Sequence, residues 1–79
     1  MSEEIKVDLE IDCSGLSCPL PILKTKKAIN SLTEGQVLKV ISTDPGSNQD
    51  MPSWSKRTGN PILKTEEEGG SFVYYIQSK

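Results

Sequence analysis

Histidine is absent from this 79-residue chain, and with it go Cys–His nucleophilic pairs and the commonest metal ligand. Any nucleophile here acts without an imidazole base. Cysteine is scarce too: Cys13 and Cys18 stand five positions apart, which is not the C-x-x-C spacing of metal or dithiol sites. No cofactor or metal site is expected from such a set. Long apolar runs are missing, so nothing approaches the roughly 20 residues of a membrane-spanning helix. Met1-Ser2-Glu3-Glu4 lacks the basic-then-apolar pattern of a signal peptide. A cytoplasmic protein with reduced thiols and no membrane partner is the expectation. The net charge of -2 offers no general attraction to nucleic acid, and no direct nucleic-acid partner is expected. A chain this short buries a small fraction of its surface, so residues 1–79 are expected to form one domain of two layers over a thin core.

What is present is a clear pattern of elements. Ile5, Val7, Leu9 and Ile11 alternate with Lys6, Asp8, Glu10 and Asp12, the period of a strand with one buried face. A loop over Cys13-Ser14-Gly15-Leu16-Ser17 leads to Cys18. From Ile22 to Leu32 the set Ile22, Ala28, Ile29 and Leu32, with Thr25 in the gap, recurs at steps of three and four, while Lys24, Lys26 and Lys27 point elsewhere. Glu34-Gly35 ends this helix. Val37-Leu38-Lys39-Val40-Ile41 reads as a mostly buried strand. Turn residues Thr43 to Ser47 precede a weaker helix predicted from about Asp50 to Thr58, with Met51 and Trp54 facing inward and Pro52 in a first turn capped by Asp50. A looser turn before Asp50 is compatible with the same residues. Ile62–Thr65 and Phe72–Ile76 then flank a polar turn from Glu66 to Ser71, as in a hairpin. The order β-α-β-α-β-β predicts an α+β fold: a two-layer α/β sandwich with a mixed four-stranded sheet, both helices on one face and the other face wet.

Chemistry concentrates at Cys18-Pro19-Leu20-Pro21. Proline is tolerated in the first helical turn, where a backbone N–H would lack a partner anyway. The residue before a proline is steered away from helical angles, so the first helix begins at Pro19 or at Pro21. In either register Cys18 stands at or just before a helix N-terminus, where the macrodipole favours thiolate, the nucleophilic form. Both prolines delete donors that would hydrogen-bond a sulfur anion, so a moderate lowering of the thiol pKa by field is expected. Lys24, Lys26 and Lys27, with Lys56 and Arg57, are candidates for a local positive field, though a solvated helix face explains such lysines equally.

The segment Asp12-Cys13-Ser14-Gly15-Leu16-Ser17-Cys18-Pro19-Leu20-Pro21 resembles the signature of the TusA/SirA-like sulfur-carrier family, with its Asp-x-x-Gly-Leu-x-Cys-Pro-x-Pro pattern. Thr43 to Ser47, Trp54, Lys56 to Asn60 and Glu67-Glu68-Gly69-Gly70 extend the likeness, so that residues 5 to 77 are covered. The resemblance implies a sulfur relay in which Cys18 accepts sulfane sulfur as a persulfide from a cysteine desulfurase or rhodanese-like donor. It then passes that sulfur to an acceptor protein. It implies service in oxidative sulfur metabolism, in tRNA thiolation or in cofactor synthesis, with Gly46-Ser47 and Lys56-Arg57-Thr58-Gly59-Asn60 closer to the oxidative members. Thiolate attack on sulfur needs no general base, so the missing histidine is no obstacle. Two other readings stand beside it: a non-covalent interaction or regulatory module in which Cys18 is incidental, and a thiol–disulfide switch. Cys13 reads as a core or strand-end thiol, with attack on a Cys18 persulfide as its alternative role.

Overall fold

The structure, a computed structural model, describes residues 6–16 and 20–79. Its elements are β1 (Leu9–Cys13), α1 (Leu20–Asn30), β2 (Val37–Ser42), α2 (Ser47–Thr58), β3 (Ile62–Glu68) and β4 (Ser71–Gln77). The four strands make one sheet in the order β1-β2-β4-β3, with β1 parallel to β2 and both outer contacts of β4 antiparallel. This is the α+β mixed sheet that the pattern predicts.

One face of the sheet supplies the core. Leu38, Val40, Phe72, Tyr74 and Ile76 are buried with Ile29 from α1 and with Met51 and Trp54 from α2, so both helices pack on the same side. Full burial of such side chains contributes about 1.5–3 kcal/mol each. On α1 the buried residues are Pro21, Thr25 and Ile29, a stripe at steps of four. The Thr25 hydroxyl donates to the Pro21 carbonyl at 2.7 Å and lies 4.0 Å from Met51 Sδ, which joins the two helices through a buried polar group that is itself satisfied. Trp54 is buried as expected, yet its indole N–H finds no partner among the described residues. On the opposite face Lys39, Ile41, Val73 and Tyr75 are only half-buried. There the Lys39 ammonium lies 5.9 Å from the centroid of the Tyr75 ring, and the Tyr75 hydroxyl donates to Glu66 Oε1 at 3.3 Å.

Three boundaries differ from the sequence pattern. The first strand starts at Leu9 rather than among the earlier alternating residues; Ile5 lies outside the described residues, and Val7 precedes the strand. The reason is its partner. Asp8 N donates to Val37 O and Val37 N donates to Asp8 Oδ2, both at 2.9 Å, so β2 begins level with Asp8 and offers nothing earlier to pair with. The second helix starts at Ser47, not Asp50, placing Pro52 inside it. Asn48 N reaches Pro45 O, and Gln49 N and Asp50 N both reach Gly46 O, closing the extra turn. Packing of Met51 and Trp54 outweighs the N–H that Pro52 cannot return to Asn48. The third strand runs on through Glu66-Glu67-Glu68, because Gly69 (φ 56°) and Gly70 (φ 87°) turn the chain in two residues.

Candidate functional site

Cys18, with Ser17 and Pro19, lies outside the described residues. The structure defines what flanks it in the chain. β1 ends at Cys13, and the chain then turns through Ser14, Gly15 and Leu16. Ser14 N donates to Asp12 Oδ1 at 2.9 Å, an Asx turn, and Leu16 N donates to Cys13 O at 3.1 Å. Gly15, at φ 80°, donates its N–H to Thr43 Oγ1 at 2.9 Å, tying this turn to the loop after β2. Leu16 packs against the core, so the turn is anchored on both sides.

Asp12 is exposed, and its carboxyl is held below its ordinary value by the hydrogen bonds from Ser14, with a smaller contribution from the charge of Lys24. That is the behaviour of a loop support. Cys13 is fully buried in the core cluster. Burial pushes its thiol pKa up, against a smaller opposing pull from Lys24. It is the strand-end core thiol of the simpler sequence reading.

On the far side of Cys18, α1 is helical from Leu20. Pro21 therefore occupies its first turn, while the alternative start, Pro19, lies outside the described residues. Leu20 and Leu23 are 44% and 53% exposed, large apolar side chains on the turn that follows Cys18. Lys24, Lys26 and Lys27 are exposed. Lys56 and Arg57 stand elsewhere. They occupy the last turn of α2, and Asn60, two residues beyond that helix, accepts the backbone N–H of Lys79 at 2.8 Å. The chain end in turn pairs with Gly35 and Gln36, just before β2. Cys13 aligns with Ser42, at the other end of β2. The expected pooling of Lys56 and Arg57 with the α1 lysines is thus corrected: α2 carries them to the opposite end of the sheet.

A feature the periodicity reading passed over is an open groove lined by Ile11, Asp12, Lys24, Lys27, Ala28 and Ser31. Its signal was present in the positions 24, 27, 28 and 31, which share one helix face. Among the described residues, no group of three or more metal-ligating side chains comes together, and no helix is long and apolar enough to cross a membrane.

The comparisons with known proteins fit this geometry. Residues 9–78 match the family described as Sulfurtransferase TusA. The chain is 53% identical over 70 residues to the sulfur carrier protein TusA of Allochromatium vinosum, covering 89% of this chain and 92% of that one. It is 52% identical over 75 residues to a relative from Aquifex aeolicus, covering 95% of this chain but spanning only 38% of that longer protein. Among solved structures, a SirA-like protein from Desulfitobacterium hafniense superposes with a TM-score of 0.78 at 28% identity, covering 89% of this chain and 96% of the other. On this agreement of sequence and fold, the chain belongs to the TusA sulfurtransferase family.

Proposed function

We propose that this single-domain protein is a cytoplasmic sulfur carrier, loaded as a persulfide on Cys18 by a donor protein and emptied by an acceptor protein. The observation that carries the reading is the match to the sulfur carrier protein TusA of Allochromatium vinosum over nearly the full length of both chains. The Cys18-Pro19-Leu20-Pro21 motif supplies the thiol. In loading, the Cys18 thiolate attacks the outer sulfur of a donor persulfide, as formed on a cysteine desulfurase or rhodanese-like protein. A new S–S bond forms, the donor's S–S bond breaks, and the donor leaves as a thiolate. Unloading is the same exchange with an acceptor thiolate, so no electrons are gained or lost overall. The sequence likeness at Gly46-Ser47 and Lys56 to Asn60 favours service in oxidative sulfur metabolism.

Cys13 counts against the disulfide-switch reading, because a buried thiol with a raised pKa is a poor attacking group. Mass spectrometry after incubation with polysulfide, or with a cysteine desulfurase and cysteine, tests the proposal. A gain of about 32 Da per sulfur is expected in the wild type and in Cys13→Ser, and is lost in Cys18→Ser. Wild-type protein that gains no mass with either donor defeats the carrier reading.

A further inference from the structure

β1 is an edge strand, with β2 as its one strand neighbour among the described residues. Along a parallel strand, both backbone groups of a residue point to the same side and the side alternates. Just before β2, Gln36 O accepts the N–H of Ser78, just past β4, so Leu38, Val40 and Ser42 face β4. Lys39 and Ile41 face β1, where the register sets them between Leu9 and Ile11 and between Ile11 and Cys13. Leu9, Ile11 and Cys13 therefore turn toward β2, and Glu10 and Asp12 turn their N–H and C=O groups to the free edge. Such a short row of open groups is what an added strand pairs with.

The groove runs beside this edge. Half-buried Ile11 and Ala28 give it an apolar floor, and exposed Lys24 and Lys27 from α1 give it a basic wall. On the other face of the same edge the side chains are acidic, Glu10 and Asp12. The two sides of β1 thus ask for opposite charges. A second copy of β1 meets this edge badly, since pairing two such strands sets Glu10 and Asp12 of each against carboxylates of the other.

We propose that the free edge of β1 binds an extended segment of a partner protein as a fifth strand, with alternating chemistry. Side chains facing α1 are apolar or acidic and meet Ile11, Lys24 and Lys27. Side chains facing the open side are lysine or arginine and meet Glu10 and Asp12. The connection that carries Cys18 joins β1 to α1, the two elements that wall the groove, so a segment held there engages the chain on both flanks of the thiol. Binding of this kind does not depend on sulfur being loaded.

The test uses the full chain, nitrogen-15 labelled, and a short capped peptide in which lysine alternates with valine and glutamate. Amide exchange at Glu10 and Asp12 is expected to slow roughly tenfold or more at saturating peptide, while Ile11, already bonded to β2, changes little. A peptide with its lysines and glutamates exchanged is expected to bind roughly tenfold more weakly or worse, as is the original peptide to Lys24→Glu/Lys27→Glu. Glu10→Pro deletes one outward N–H, which an edge strand tolerates, and is expected to abolish binding. If that variant does not fold, the exposed lysine pair still decides the matter. Absence of protection at Glu10 and Asp12, indifference to the lysine reversals, or protection that instead follows protein concentration through self-pairing of β1 would overturn the proposal. No sulfur transfer is read, so its failure leaves the carrier role standing.

Discussion

Tyr74 on β4 donates a 2.6 Å hydrogen bond to Asn48 Oδ1 in the first turn of α2. The tyrosine is almost wholly buried while Asn48 is exposed, so the bond fastens an otherwise proline-weakened turn to the middle of the sheet. Tyr74→Phe keeps the ring in the core and frees Asn48 to water. The expected loss is about 1 kcal/mol, or a fall in Tm of roughly 4–8 °C for a domain of this size, read by calorimetry. An unchanged Tm would show that packing alone holds the turn.

Cys13 offers a second measurement. Its burial and raised pKa keep it as a shielded thiol at neutral pH. Iodoacetamide is expected to leave Cys13 unmodified in the native protein and to alkylate it once denaturant is added. Peptide mapping reads the site. Rapid native alkylation of Cys13 would mean that the end of β1 opens readily.

The Asp12 carboxyl titrates below its ordinary value of 3.8 because Ser14 hydrogen-bonds to the ionised form. A depressed carboxylate stabilises the fold above the unfolded-state pKa, and that contribution fades as pH falls through the folded-state value. Carbon-13 NMR is expected to show an Asp12 midpoint below 3.8. In Asp12→Asn the turn loses this pH dependence, so the Tm difference from wild type narrows as the solution becomes more acidic than that midpoint.

Gly15 is held at φ 80°, and nothing among the described residues lies within 4 Å of where a Cβ would stand. The cost of Gly15→Ala is therefore backbone strain alone, about 1–2 kcal/mol. Chemical denaturation should show that loss with an unchanged slope. A loss of several times that size would mean that the turn rearranges, taking the bond to Thr43 with it.

Much of this fold is legible in the residues. The buried run from Val37 to Ile41, the three-and-four spacing from Ile22 to Leu32 and the alternation from Phe72 to Ile76 each name their element, because burial on one face imposes its own period. What the pattern misses depends on partners distant in sequence. The alternation starting at Ile5 cannot say that Val37 gives the first strand its first bond. Pro52 argues locally against an earlier start for α2, and only Tyr74 and the packing of Met51 and Trp54 overrule it. Charges are the least legible feature. Lys24 and Lys56 look alike in sequence, yet one acts on Asp12 and Cys13 and the other belongs to the far end of the sheet. At the site, Cys18 is singled out by its prolines and its family motif. The open backbone groups of Glu10 and Asp12 emerge only once β1 is seen at an edge.

The C-terminal residues have a practical bearing. Ser78 N donates to Gln36 O at 2.7 Å, Gly35 N donates to Ser78 O at 2.8 Å, and Asn60 holds Lys79, fixing the chain's end beside the start of β2. Cys13 aligns with the last residue of β2, Ser42, roughly 20 Å away along six residues of strand. A surface tether, dye or affinity tag attached through Lys79 is thus mounted at the pole remote from the turn after β1, leaving that turn and the groove open to solution.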